Sequence, residues 1–273
     1  MVEYAVVGSG VGGSSIAAYL AAKGLDVVLF EKEPYLGGCS STFMHKGYTY
    51  NTGATTLAGY QEGHIVKSIF DEIGFTPELI STDPGIVIVQ NGKTTPRYRD
   101  LEKFLDILEQ NYPHPKNRAF WHLVHEIGTK FYEMQGHYYS TSSRYKKLAS
   151  LASFFPLLLK FQRYLRTNAR DFIQDFYGEM SQEYLQFLES QVMIVSQANL
   201  DKVNFFTAAL SLGYTFNETH YVKGGFSKLF DGMTASIKQV RRKTEIMHIE
   251  SKEDHFILYT KRDRVKAKKV ILN

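Results

Sequence analysis

The stretch Val2-Glu3-Tyr4-Ala5-Val6-Val7-Gly8-Ser9-Gly10-Val11-Gly12-Gly13 opens the chain and decides its fold. An apolar run, typical of a strand buried on both faces, leads into a G-x-G-x-x-G motif and a helix of small residues that ends at Gly24. A second buried strand is predicted at Val27–Phe30, and Glu31 follows it directly. This order of strand, glycine loop, helix, strand and carboxylate predicts a βαβ dinucleotide-binding unit.

Each glycine of the motif has its own physical role. Gly8 permits the tight turn out of the strand, Gly10 lets a pyrophosphate approach the backbone at the helix N-terminus, and Gly13 lets the helix pack closely on the strand. Glu31 lies 18 residues after Gly13 and can accept hydrogen bonds from the adenosine ribose, while disfavouring a 2′-phosphate. A plain strand–turn–helix corner also fits the bare motif, but the combined context favours the nucleotide site.

Two later segments distinguish FAD from NAD. The stretch Glu31–Ser41 contains the pair Gly37-Gly38, and Tyr50–Thr56 follows shortly after it. Together they resemble the phytoene desaturase, carotenoid isomerase and retinol saturase group of the amine-oxidase-like flavoproteins. In that group the glycine pair lies along the FAD pyrophosphate and ribityl chain, and the later segment approaches the flavin ring. The resemblance therefore implies FAD as the cofactor.

The motif and the resemblance together give a set of expected cofactor contacts. Ile246 is included because Thr244–Glu250 is similar to the strand whose main chain holds the adenine. No acid–base dyad is visible, so no catalytic residue is assigned, and His122 and His125 lack a third ligand, so no metal site is expected. The expected contacts are Gly8, Gly10, Val11, Gly12, Gly13, Glu31, Lys32, Gly37, Gly38, Ser40, Ser41, Gly53, Ala54, Thr55 and Ile246.

The predicted fold class is α/β: a Rossmann-type, glutathione-reductase-like FAD-binding domain with an inserted, mainly helical substrate domain. Residues 1–75 and 220–273 are assigned to the first domain and residues 76–219 to the second. A helix is expected over residues 227–239, followed by a β-meander from residue 244. The link between them is short and basic, where the resembling family often has an extra strand.

The resemblance implies an FAD-dependent oxidoreductase that desaturates, saturates or isomerises a hydrophobic polyene or isoprenoid. Family members continue well beyond the strand that corresponds to residues 267–272, so the C-terminal part of the usual fold is expected to be absent here. Either the chain is truncated, or a second polypeptide supplies the remainder and completes the flavin site. One alternative is a non-catalytic nucleotide-binding fragment or subunit. Another is an NAD-dependent enzyme, which Gly37-Gly38 disfavours.

Charge and cysteine usage bear on the setting of the protein. The net charge is only +4, and the single cysteine, Cys39, excludes an intrachain disulfide and fits a reducing, cytoplasmic compartment. Because no activating base is visible, a small packed thiol is favoured over a nucleophile at Cys39.

Residues 141–170 contain seven Lys or Arg and no Asp or Glu, and they surround the apolar stretch Leu148–Leu159. That stretch is too short to span a bilayer, and Pro156 interrupts it. It indicates either a peripheral contact of residues 144–166 with the anionic cytoplasmic membrane or a buried helix with a basic edge. The resemblance favours the membrane. No nucleic-acid partner is expected, because no binding motif accompanies the charges.

Overall fold

The structure, a computed structural model, describes residues 1–132 and 143–273, without the side chains of residues 150, 153, 154, 157 and 158. It divides into two compact units. Residues 1–81 and 219–273 form the first, which is called the sheet unit below. Residues 82–218 form the second, which is called the helical unit.

The described strands are β1 (Val2–Val7), β2 (Val27–Phe30), β3 (Thr42–His45), β4 (Tyr48–Asn51), β5 (Leu57–Ala58), β6 (Leu79–Ser81), β7 (Ile86–Gln90), β8 (Lys93–Arg97), β9 (Thr219–Val222), β10 (Gln239–Arg241), β11 (His248–Ser251), β12 (Phe256–Tyr259) and β13 (Arg264–Leu272). The described α-helices are α1 (Val11–Ala22), α2 (Ile65–Glu72), α3 (Leu101–Asn111), α4 (Asn117–Tyr132), α5 (Arg144–Arg166), α6 (Ala169–Tyr177), α7 (Gln182–Ser196), α8 (Phe205–Leu212) and α9 (Phe226–Met233).

The main sheet of the sheet unit has the strand order β10-β2-β1-β13-β12-β11. The first four strands in this order are parallel, and the last two continue the sheet in antiparallel pairing. Ala5 and Val6 are fully buried on opposite faces of β1, which explains why the strand reads as a continuous apolar run. Helix α1 buries Ala17 and Ala18, whose small side chains let it lie close to the sheet. The predicted βαβ unit is confirmed.

The region after α9 corrects the sequence prediction. The helix ends at Met233 instead of residue 239, and residues 239–241 form β10, a parallel neighbour of β2. The expectation of a link without a strand is therefore wrong. The strand is short, and the charged Arg241 interrupts the apolar pattern by which a buried strand is predicted. In the structure the Arg241 guanidinium lies 5.3 Å from the Phe30 ring centroid and pairs with Asp263. The meander likewise begins at His248, four residues later than predicted.

In the helical unit, a helix cap and a tight turn are formed by residues whose types favour them. The Asp100 side chain accepts a hydrogen bond from the Lys103 N–H and caps α3. The turn between β7 and β8 has Asn91 and Gly92 at positive φ, which is the geometry that joins a tight hairpin.

Helix α5 differs from the prediction at Pro156. Pro156 lies inside the helix instead of breaking it. The helix stops instead after Arg166, because the Asn168 side chain accepts hydrogen bonds from the N–H groups of Arg170 and Asp171 and so starts α6. The apolar pattern that continues from Phe161 to Phe172 therefore belongs to two helices.

The core of the helical unit contains a buried cation that no sequence pattern predicts. Arg97 on β8 is fully buried, with its guanidinium 4.2 and 4.4 Å from the ring centroids of Phe104 and Trp121. It donates hydrogen bonds to the Leu212 carbonyl and to Gln191 Oε1. Burial lowers the pKa of Arg97 to about 9, so it stays charged at neutral pH. Aromatic faces, rather than a carboxylate, compensate this charge within the described residues.

Two helical glycines provide a matched test of the α1–β1 packing. A Cβ at Gly13 would lie 2.0 Å from the Gly8 carbonyl oxygen, whereas a Cβ at Gly128 in α4 would meet nothing within 4 Å. We expect Gly13→Ala to lower the free energy of unfolding by about 1–3 kcal/mol because backbone must move. Gly128→Ala should leave it unchanged or raise it by up to about 1 kcal/mol. Urea unfolding of both variants measures this, and equal stability of the two would contradict the close approach.

Candidate nucleotide-binding site

A cavity of about 500 Å³ lies in the sheet unit at the carboxyl ends of the parallel strands β1, β2 and β13. This is the edge at which open α/β sheets bind nucleotides. The cavity is lined by Val7, Gly8, Ser9, Gly10, Phe30, Glu31, Lys32, Glu33, Gly38, Cys39, Thr244, Glu245, Ile246 and Asn273.

The glycine loop forms one wall of the cavity and starts α1. Gly8 has φ +94°, and its N–H donates to the Phe30 carbonyl at 2.8 Å, which ties the turn to β2. Gly10 precedes the helix, and no side chain caps the first turn of α1. That turn also contains no acidic residue. Its backbone N–H groups and the positive end of the helix dipole are therefore available for an anion.

Glu31 fixes the loop from the adjacent strand. Its Oε2 accepts hydrogen bonds from the Ser9 N–H at 2.9 Å and the Ser9 hydroxyl at 2.5 Å, and its Oε1 accepts from the Glu33 N–H at 2.9 Å. Burial alone would raise the pKa of the Glu31 carboxyl. The hydrogen bonds from Glu33 and Ser9 outweigh that effect, so the net pKa lies below its ordinary value. The site therefore holds an ionised carboxylate at the end of β2.

The second glycine pair folds back onto the first motif. The Gly37 N–H donates to the Ser9 carbonyl at 2.9 Å, and a Cβ on Gly38 would lie 3.3 Å from the Gly10 Cα. Gly37 has φ +107°, and a Cβ there would come within 2.6 Å of the Phe230 ring. Residues nearly thirty positions apart in sequence thus form one continuous glycine-lined wall.

The wall continues toward the β3–β4 hairpin. A Cβ on Gly53 would lie 2.7 Å from the Cys39 carbonyl oxygen, to which the Thr52 hydroxyl donates a hydrogen bond at 3.0 Å. On the other side, the Thr42 hydroxyl accepts from the Ser227 N–H at 2.9 Å at the start of α9. The hairpin thereby connects the second glycine pair to the helix that follows Gly224-Gly225.

The structure brings some of the expected contacts to the cavity and leaves others outside it. Of the fifteen, the wall contains Gly8, Gly10, Glu31, Lys32, Gly38 and Ile246. The other nine do not line it. Val11, Gly12 and Gly13 lie in the first turn of α1, while Gly37 and Ser40 lie on either side of Gly38. Ser41 is buried and hydrogen-bonded to Thr52, and Gly53, Ala54 and Thr55 are exposed in the loop after β4.

Two wall residues were missed or misassigned from sequence. The expected packed thiol is wrong, because Cys39 is exposed. The Cys39 carbonyl, in the tight turn Gly38–Ser40, accepts a hydrogen bond from the Thr52 hydroxyl. Asn273 was not identified; its N–H donates to the Val7 carbonyl at 3.0 Å, and its side-chain amide lies within 3 Å of the positions that Cβ atoms on Gly10 and Gly12 would occupy. Asn273 follows the carboxyl end of β13, the strand next to β1, and this position was the signal that could have identified it as a wall residue.

The histidine pair of α4 has other partners. His122 Nε2 lies 3.1 Å from Glu102 Oε1, and the His125 ring packs against Phe216. Burial, with a contribution from His122, lowers the pKa of His125. In residues 1–132 and 143–273, no three His, Cys, Asp or Glu side chains converge in a metal-binding arrangement.

The fold is of the Rossmann type, and the cavity lies at the sheet edge where that fold binds nucleotides. A family model described as an NAD(P)-binding Rossmann-like domain matches residues 6–73. A solved structure of putrescine oxidase has the same fold, with a TM-score of 0.64 and 16% identity. The superposition includes 99% of this chain and 57% of the putrescine oxidase chain.

Curated relatives refine the class. Prolycopene isomerase of Daucus carota is 25% identical over 76% of this chain and 34% of its own length. All-trans-retinol 13,14-reductase of Rattus norvegicus is 25% identical over 82% of this chain and 37% of its own length. The chain spans about a third of the length of these relatives. The resemblance to the carotenoid isomerase and retinol saturase group, within the FAD-dependent oxidoreductase superfamily, is confirmed.

The hydrogen bonds of Glu31 generate a pH-dependent prediction. In Glu31→Gln one acceptor oxygen becomes a donor that opposes Ser9 or Glu33, so we expect a loss of about 1–3 kcal/mol in unfolding free energy near neutral pH. Because the folded-state pKa lies below the ordinary value of 4.5, this advantage of the wild type is complete above that pH and declines as the pH falls through the folded-state pKa. Urea unfolding from pH 7 to pH 3 measures the difference. The exposed Glu253→Gln is the control, and a pH-independent difference would contradict the assignment.

Proposed function

We propose that the cavity binds FAD and that the chain is the nucleotide-binding part of an FAD-dependent oxidoreductase. The observation that carries the proposal is the contact of Gly37-Gly38 with the Gly8–Gly13 loop across one cavity. A nicotinamide site needs only the first loop. The second glycine pair supports a ligand whose chain continues along Cys39 toward the β3–β4 hairpin.

The residues of the cavity suit the parts of that ligand. The uncapped first turn of α1 would hold the pyrophosphate, since it offers backbone N–H groups and no competing carboxylate. Glu31 Oε1 retains acceptor capacity beyond its bond from Glu33, and would accept from a ribose hydroxyl. The Ile246 main chain, at the opposite wall, would face the adenine. When bound, FAD supplies hydride or electron transfer, and this chain positions its nucleotide half.

The proposed substrate class is a hydrophobic polyene or isoprenoid. Its support is the relatives, whose names describe a prolycopene isomerase and a retinol reductase. Because the chain corresponds to about a third of each, we also propose that residues outside this chain, on a second polypeptide or a longer one, complete the flavin side of the site. A nucleotide-binding subunit without its own activity is the alternative under this proposal.

The FAD proposal is tested with the purified chain and Gly10→Val. Gly10 has ordinary dihedral angles, so valine is sterically acceptable to the backbone but covers the helix N-terminus. We expect the wild type to take up FAD, with quenched flavin fluorescence, and Gly10→Val to bind it at least about tenfold more weakly. Gly128→Ala is the control and should bind as the wild type. A chain that fails to bind FAD but binds NADH would overturn the proposal in favour of a nicotinamide site.

We further propose that α5 contacts an anionic membrane on the cytoplasmic side. Tyr145, Leu148, Leu151, Phe155 and Leu159 are spaced along one face of the helix and are 46–81% exposed. Exposed cations lie around them, and no carboxylate occurs in α5. Apolar side chains framed by cations suit an interfacial helix. Within the described residues, no helix is long and apolar enough to cross a bilayer.

The membrane proposal is tested by sedimentation with phosphatidylglycerol vesicles. The triple change Leu148→Gln, Phe155→Gln and Leu159→Gln should reduce binding at least about tenfold, because three side chains would no longer enter the bilayer surface. The control triple Val87→Thr, Val89→Thr and Ile194→Gln alters equally exposed apolar residues elsewhere in the helical unit. Equal loss in both triples, or no binding by the wild type, would reject a specific role for α5.

A further inference from the structure

A second cavity of about 460 Å³ lies beside the nucleotide cavity in the sheet unit. The two cavities share the segment Lys32-Glu33 after β2 and the segment Thr244-Glu245 before β11. The far wall is the turn between β12 and β13. The residues that line it are Lys32, Glu33, Arg241, Lys243, Thr244, Glu245, Thr260, Lys261 and Arg262.

The lining is strongly cationic, with five basic side chains and two carboxylates. Arg241 is neutralised by Asp263, with which it forms two hydrogen bonds of 2.8 and 2.9 Å. Lys261 Nζ lies 3.6 Å from Glu245 Oε2, a long and exposed pair that contributes little. Lys32, Lys243 and Arg262 have no carboxylate within ion-pair distance in the part of the chain that the structure describes. Three unpaired cations therefore surround one cavity.

The position of Lys243 is set by the backbone that also builds the nucleotide site. Lys243 has φ +51°, a conformation that costs energy for a residue with a side chain. Its N–H donates to the Glu33 carbonyl at 3.1 Å, and the Thr244 N–H donates to the Glu31 carbonyl at 2.8 Å. Because Glu31 to Glu33 is in turn fixed by the Glu31 carboxylate, the cations are held against a segment of defined geometry.

We infer that this cavity is a second binding site, for a small molecule that carries a phosphate or pyrophosphate group. A multiply charged oxyanion matches three unpaired cations better than a single carboxylate does. The site is separate from the one proposed for the FAD pyrophosphate, because neither the glycine loop nor α1 contributes to its lining. Both sites share Lys32-Glu33 and Thr244-Glu245, so occupation of one changes the affinity of the other.

The test is titration calorimetry with inorganic pyrophosphate at fixed ionic strength, on the chain with and without FAD. We expect the wild type to bind pyrophosphate. The triple change Lys32→Gln, Lys243→Gln and Arg262→Gln should weaken binding at least about tenfold. Glutamine keeps the backbone requirement at Lys243 no worse than in the wild type. The matched triple Lys238→Gln, Lys266→Gln and Lys268→Gln removes the same charge from exposed positions outside the cavity and should change the affinity less than about twofold.

A third variant distinguishes the two anion sites. Gly10→Val blocks the glycine loop, and pyrophosphate binding should persist in it. Binding that is lost in Gly10→Val and kept in the first triple would place the anion on the glycine loop and overturn the inference. Equal weakening in both triples would show only a general field effect and would also overturn it. The FAD-free titration remains informative if FAD does not bind, so failure of the proposed function and failure of this inference are separate results.

Discussion

The Glu31 carboxylate is the constraint on which the nucleotide site depends. Through Ser9 it fixes the turn between β1 and α1, and through the Glu33 N–H it fixes the chain after β2. The same segment receives hydrogen bonds from the N–H groups of Lys243 and Thr244, which anchors the link between β10 and β11. Three chain segments that are far apart in sequence are therefore held by one residue and its two backbone neighbours. Ionisation of the carboxylate is needed for this arrangement, because the groups around it are donors.

The glycines determine how closely these segments approach one another. Gly13 lets α1 contact the Gly8 carbonyl, and Gly38 lies so close to Gly10 that a Cβ on Gly38 would come within 3.3 Å of the Gly10 Cα. A side chain at Gly13 or Gly38 would push these segments apart. The glycine spacing is thus a packing requirement first, and the exposed N–H groups at the start of α1 are its chemical consequence. Asn273 reaches the same loop because β13 pairs with β1 in parallel.

Local signals in the sequence were sufficient for β1, α1, β2, the Asp100 cap and the Asn91-Gly92 hairpin, since each depends on neighbours within a few residues. Features that depend on distant contacts were not predictable. Strand β10 exists because β2 offers it a parallel edge, although it contains Arg241. Cys39 is exposed in the tight turn Gly38–Ser40, which no neighbouring residue in the sequence indicated. For the candidate site, the motif located one wall. Thr244 and Glu245 lie in the link between β10 and β11, and Asn273 follows β13; no local pattern specifies the strand pairing that brings them to the cavity.

The two neighbouring cavities have similar volumes and differ chiefly in the charge of the residues that line them. Three of the acceptor positions of Glu31 are used internally, so its selectivity for a ligand rests on its negative charge as much as on its remaining hydrogen-bonding capacity. Because the hydrogen bonds lower its pKa, that charge persists throughout the neutral range and would disfavour a phosphate on the ribose of the proposed nucleotide. In the second cavity, Lys32, Lys243 and Arg262 create a positive electrostatic potential instead. A phosphate that the carboxylate excludes from the first cavity would thus be attracted to the second, and the boundary between the two lies at Glu31–Glu33.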